Sequence, residues 1–139
     1  MSEPINFQEK NFLVIDDGPG MRASLRTTIS TLGGIRIDMA GNGIEAVNRL
    51  EQRAYDIILC DYDLGGGKDG QQLLEEIKCR KLVKHSAIFM MVTAEQSYEK
   101  VVSAVELAPD DYLIKPFTGE VLRLRLERLA QKKTYFAPV

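Results

Sequence analysis

Apolar and polar positions follow two rhythms along this chain. Solid apolar runs within residues 11–16, 57–60 and 87–93 have the length and β-branched content of strands buried on both faces. Residues 35–40 alternate like a strand, and residues 111–115 supply a fifth. Between the strands the period lengthens to that of a helix. Residues 20–34 are helical and stop at a double glycine. Asn42 followed by Glu45 resembles a capping box for residues 43–53, with Ile44, Val47 and Leu50 as the apolar face. Asp69 caps residues 70–80, whose Leu73, Leu74 and Ile77 form an inward stripe. Residues 96–108 repeat the pattern through Val101, Val102, Val105 and Ala108. Thr118 caps a last helix whose Leu122, Leu126 and Leu129 make one short core face, not the sustained heptads of a zipper. The order is five βα units.

Strands alternating with helices of this length imply parallel strands, right-handed crossovers and helices on both sheet faces. In such sheets ligands bind beyond the carboxyl ends of the strands. The first strand ends in Asp16-Asp17, the third in Asp61, the fourth in Thr93 and the fifth in Lys115-Pro116. Three carboxylates in one crevice repel one another, so a cation must offset them. Oxygen ligands without His or Cys suit a hard ion, and a site with few protein ligands fits Mg2+ better than Ca2+. Lys115 and Thr93 would then cradle an anion such as a phosphoryl group.

The segments VIDD (14–17), DIILCD (56–61), MMVTAE (90–95) and DYLIKPF (111–117) stand in the order and spacing of one known family. Over residues 11–133 the chain resembles the receiver domain of two-component response regulators, the family of the single-domain chemotaxis regulator. The resemblance implies a single doubly wound (βα)5 domain of the α/β class. Its five parallel strands would take the flavodoxin-like order 2-1-3-4-5. Asp61 would be the phosphoacceptor. Asp17, Asp61 and the Asp63 backbone carbonyl would hold Mg2+ directly, and Asp16 through water. Thr93 would follow the phosphoryl group, Lys115 would pair with it, and Tyr112 would be the aromatic partner of Thr93 in switching. Asp63 and Glu95 would tune the lifetime of the phosphate, and the Lys115-Pro116 bond would be cis. Such a domain catalyses its own phosphorylation and dephosphorylation without being a conventional turnover enzyme.

The chain departs from the family pattern after the phosphoacceptor. Where a shorter segment with Met-Pro is usual, Gly65, Gly66 and Gly67 stand without a proline, which predicts a more mobile loop. Plainer readings stand beside the functional ones: Thr93 as a helix cap, Asp63 as a solvated carboxylate, Tyr112 as a half-buried strand aromatic. An aspartyl-phosphatase enzyme would also use an Asp-x-Asp at a strand end, here Asp61 and Asp63, but needs a cap or substrate pocket that 139 residues leave no room for. A degenerate receiver, binding partners without phosphorylation, is the alternative from another class. A dinucleotide fold is set aside, because neither GPG nor GNG forms G-x-G-x-x-G after the first strand.

Composition narrows the partners. The 139 residues, 45% hydrophobic, suit one domain, and 18 Lys and Arg against 20 Asp and Glu give a net charge of -2. No basic field is available for nucleic acid phosphates. No apolar run approaches the roughly 20 residues of a membrane span, and the start lacks the regions of a signal peptide, so a cytoplasmic location is expected. Cys60 and Cys79 read as buried small apolar residues, and His85 as solvated. Residues 1–10 are expected to be a flexible lead, 11–133 the domain, and 134–139 a tail or the start of a linker. The expected partners are a histidine kinase or phosphotransfer protein. A homodimer through the fourth helix, fifth strand and fifth helix would pair Arg123, Arg125 and Arg128 with Glu99 and Glu106.

Overall fold

The computed structural model describes residues 5–94, 98–99 and 107–136. One five-stranded sheet contains β1 (Asn11–Ile15), β2 (Arg36–Ala40), β3 (Ile57–Asp61), β4 (Ile88–Ala94) and β5 (Asp111–Lys115). All neighbours run parallel, in the order β2-β1-β3-β4-β5. Helices α1 (Pro19–Thr31), α2 (Gly43–Gln52), α3 (Gly70–Cys79) and α4 (Gly119–Phe136) lie against it. The helix expected over 96–108 falls mostly outside the described residues. No described helix is long and apolar enough to cross a membrane.

Alternation along the solid apolar strands sends successive side chains into two cores. Leu13, Ile15, Ile58, Cys60, Phe89 and Met91 face one core, with Leu50 of α2 and Leu73, Leu74 and Ile77 of α3. Phe12, Val14, Leu59, Met90, Val92 and Leu113 face the other, with Leu25 and Ile29 of α1 and Leu122, Leu126 and Leu129 of α4. Leu122, Leu126 and Leu129 of the last helix are therefore core, while Leu124 is exposed.

The expected caps form. Asn42 accepts the Glu45 N–H, while the Glu45 carboxylate reaches one residue further back, to the Gly41 N–H. Asp69 and Gln72 make a complete capping box, and Thr118 accepts the Val121 N–H. Two side chains differ from the sequence reading. Ile44 is 78% exposed, because Ala46, Val47 and Leu50 define the buried stripe of α2 and Ile44 lies past its edge. Cys79 is exposed at the end of α3, turned away from Ile77, while Cys60 is fully buried. The folded unit also begins before Asn11: Phe7–Glu9 form a 3-10 turn, and Phe7 is buried against the Phe12 ring at 6.1 Å between centroids. At the other end α4 runs to Phe136, past Lys133.

Asp56 ties the lower ends of three strands. Its backbone pairs with Asn11 and Ile88, and its carboxylate accepts the Asn11 N–H at 2.8 Å and Lys84 Nζ at 2.5 Å. Burial alone raises this acid's pKa, but the Asn11 N–H and Lys84 outweigh it and hold it below the usual 3.8. A depressed carboxylate contributes stability that is present above its unfolded pKa and lost as pH falls through its folded one. Asp56→Asn should therefore lower the melting temperature at neutral pH and flatten the loss of stability below about pH 4; acid-dependent thermal melts of the two proteins check this, and parallel curves refute it.

Candidate functional site

The chemistry collects where the strands end. Asp16 continues the alternation of Val14, Asp61 that of Leu59, and Lys115 that of Leu113, so all three emerge on one side of the sheet. Lys115 starts on the edge strand and reaches across β4. Its Nζ lies 3.2 Å from Asp61 Oδ2 and 3.4 Å from Asp16 Oδ2. The other Asp61 oxygen accepts the Asp63 N–H at 3.3 Å, and the other Asp16 oxygen accepts the Gly18 N–H at 2.8 Å. Asp17 is exposed, yet Asp16, Asp17 and Asp61 offer oxygens that all lie within 4.8 Å of one another.

Burial decides the electrostatics. Asp61 is 8% exposed, and desolvation is the main reason its pKa is raised; Lys115 opposes that rise and Asp16 adds to it. Beside it, burial chiefly, and then Asp61, push the Cys60 thiol well up, which removes it as a nucleophile. A cavity of about 410 Å³ opens over Asp61, lined also by Tyr62, Asp63, Asp69, Thr93 and Lys115. Thr93 is 1% exposed, and its hydroxyl donates a long 3.4 Å bond to the Ala94 carbonyl. Asp63 is exposed. The Lys115-Pro116 bond is cis.

Tyr112 lies away from this charged side. It is half-buried against the core shared with Met91 and makes an edge-on contact with Tyr98 at 5.9 Å. Glu95 and Glu106 lie outside the described residues. Glu99 is exposed. The arginines of α4 pair within the chain: Arg123 with Glu120 and Glu127, Arg125 with Asp111 at 2.9 Å, Arg128 with Asp111 at 3.4 Å.

The glycine-rich loop is shaped by the site. Gly65 and Gly67 take φ of 76° and 87°, where side chains are disfavoured, and a Cβ on Gly65 would crowd Asp17 Oδ2 at 3.1 Å. Three contributors escaped the sequence reading. Gly70 opens α3 so close to β3 that an added Cβ would sit 2.5 Å from the Asp61 carbonyl oxygen and 2.9 Å from Tyr62 Cα. Arg22 braces the first loop through a 2.6 Å bond to the Asp16 carbonyl. Gln71 is buried at the start of α3, next to Gly70. The Asp69-Gly70 pair was visible as a cap; nothing in a sequence marks a backbone approach across 8 residues.

Comparison with known proteins agrees with this geometry. A family model described as the response regulator receiver domain matches residues 12–127. The chain is 27% identical over 130 residues to the chemotaxis protein CheY-3 of Vibrio cholerae, covering 94% of this chain and 98% of that protein. It is 28% identical over 120 residues to the chemotaxis protein CheY of Pseudomonas aeruginosa, covering 86% and 95%. The crystal structure of the receiver domain of NtrX from Brucella abortus superposes with a TM-score of 0.76 at 28% identity, over 87% of this chain and 98% of that one. A longer NtrX structure gives a TM-score of 0.79 at 27% identity over 91% of this chain, which spans only 28% of that one.

Two outcomes follow from the geometry. Gly70→Ala should be markedly destabilising, because its Cβ would meet the Asp61 carbonyl oxygen and Tyr62 Cα, backbone atoms that cannot move aside as the Met91 side chain can; an unchanged melting temperature would show that α3 can retreat from β3. The folded pKa of Asp61 lies above its unfolded value, so folding favours the protonated form, and the ionised form is penalised above the ordinary carboxylate range. At neutral pH, in a chelator, Asp61→Asn should melt higher than the parent, and a lower melting temperature would contradict the sign.

Proposed function

Because the chain belongs to the response regulator receiver domain family, we propose that it accepts a phosphoryl group on Asp61 from a histidine kinase or phosphotransfer protein, with Mg2+, and alters a protein-interaction face. The observation that carries this reading is the Lys115 ammonium shared between Asp61 and Asp16, with Asp17 completing the acidic crevice. Three carboxylates against one ammonium leave net negative charge in a partly dry site, and their oxygen-only donors fit a hard divalent ion. Asp17, Asp61 and the Asp63 carbonyl would hold Mg2+, with Asp16 acting through water. When bound, Mg2+ supplies charge neutralisation to the carboxylates and to the phosphoryl oxygens.

The protein's own groups account for the rest. Asp61 is the nucleophile: a carboxylate oxygen bonds to phosphorus, the donor's phosphorus–nitrogen or phosphorus–oxygen bond breaks with its electron pair leaving on imidazole or acetate, and an acyl phosphate remains. Lys115, already in contact with Asp61, stays paired with the added charge. The buried Thr93 hydroxyl, held by a long bond to the Ala94 carbonyl, turns to a phosphoryl oxygen. Asp63 and Glu95 tune how long the phosphate lasts. Thr93 and Tyr112 form the switch. Its output face is the predicted 96–108 helix with β5 and α4, where a two-fold homodimer would have to recruit arginines now paired internally. The protein acts in the cytoplasm and binds no nucleic acid through this domain.

Incubation with Mg2+ and acetyl phosphate should add one base-labile phosphoryl group to the parent protein and none to Asp61→Asn. Equal labelling of both removes Asp61 as acceptor, and no labelling of either leaves the degenerate, phosphorylation-independent receiver. The decay of the same adduct should change in Asp63→Ala and in Glu95→Ala; unchanged decay withdraws the tuning role. Sedimentation with and without beryllofluoride, a mimic of the aspartyl phosphate, reads the dimer.

Metal binding has its own readout. The chain contains no Trp, and Tyr62 lines the cavity, so tyrosine fluorescence should titrate with Mg2+. Asp17→Ala should lose that titration; an unaltered curve places the ion elsewhere.

A further inference from the structure

Gln71 is a polar residue at a core position. It is the second residue of α3 and 7% exposed, and the other buried side chains of that helix are Leu73, Leu74 and Ile77. Its Nε2 donates a 2.7 Å hydrogen bond to the carbonyl of Leu107, while its Oε1 is buried with no partner among the described residues. A buried amide left half-satisfied costs stability relative to an apolar residue, so packing alone does not explain an amide here.

Its position supplies a reason. Immediately before it, the Gly70 N–H binds the Tyr62 carbonyl at 2.7 Å, and the absence of a side chain lets α3 abut the backbone of Asp61. A displacement of the Asp61–Tyr62 backbone therefore reaches Gln71 within one residue. At the far end of its side chain, Leu107 leads through buried Pro109 to Asp110, whose backbone and carboxylate N–H bonds with Phe89 fix the entry into β5. That strand carries both Tyr112 and Lys115.

We propose that Gln71 is a positioning residue that couples the phosphoacceptor loop to residues 107–110, through its bond to Leu107 and an acceptor that gains a donor in the phosphorylated form. This inference rests on the receiver reading. It gives the site a route to the output segment separate from Thr93 and Tyr112. A coupling residue requires a second arrangement that satisfies it better than the first, and the unpaired Oε1 is the group that such an arrangement would satisfy.

The test compares amide spectra of the parent and Gln71→Leu, each with and without beryllofluoride in Mg2+. In the parent, resonances of the loop after Asp61, of Leu107 and Asp110, and of the Gln71 side-chain amide should shift. In Gln71→Leu the loop shifts should persist, and those of Leu107 and Asp110 should be lost. Parent-sized shifts at Leu107 and Asp110 in Gln71→Leu overturn the coupling and leave Gln71 a packing residue. Should Gln71→Leu not fold, the parent alone decides: a Gln71 side-chain amide that neither shifts nor changes its solvent exchange on beryllofluoride binding overturns the proposal, and one that does supports it. A parent whose loop after Asp61 is silent overturns the receiver reading and this inference together, which separates that failure from failure of the coupling alone.

Discussion

Like charges at the end of a parallel sheet set the constraint on which this molecule is built. Asp16 and Asp61 are both nearly buried, at the ends of adjacent strands, and after desolvation Asp16 adds to the cost of ionising Asp61. The Lys115 ammonium, 3.2 and 3.4 Å away, is the protein's own answer. It can serve both acids only because the crossover order puts β5 on the side of β4 away from β3, within reach of a long side chain. One ammonium does not neutralise three carboxylates, so the crevice keeps a net negative charge.

The two-core arrangement separates tasks. Residues that follow Val14, Leu59 and Leu113 in alternation carry the charges, while Thr93 and Tyr112 continue the rows of Met91 and Phe89 on the opposite side. Asp61 thus stands at the end of a strand whose neighbours are packed on both faces, while Thr93 and Tyr112 lie on the other side of the sheet. Gln71 lies with this second group, in the helix that supplies Leu73, Leu74 and Ile77. In the loop of Gly65 to Gly67, positive φ at Gly65 and Gly67 and the nearness of Asp17 to Gly65 disfavour side chains.

The surface of α4 behaves differently from the crevice. Arg123, Arg125 and Arg128 are all engaged with acids of their own chain. Exposed pairs of this kind are worth little individually, so they can be exchanged for other partners without unfolding anything.

The five strands, the caps at Asn42, Asp69 and Thr118, and the cluster of Asp16, Asp17, Asp61, Thr93 and Lys115 were legible from the residues alone. Each depends on local rules: apolar runs for buried strands, short polar side chains for helix starts, and the placement of ligand groups at strand ends in a parallel sheet. The exposure of Ile44 and Cys79 was not legible, because which edge of an amphipathic stripe is covered depends on the helix's rotation against the sheet. Nor were Gly70, Arg22 and Gln71, which work through contacts set by how closely α3 meets β3 and how α1 crosses the first loop. Sequence by itself determined what chemistry the chain carries, since charge and periodicity are properties of residues in order. Only the tertiary structure decided which backbone atoms touch, and therefore which small or buried residues hold that chemistry in place, because close approach is a property of pairs distant along the chain.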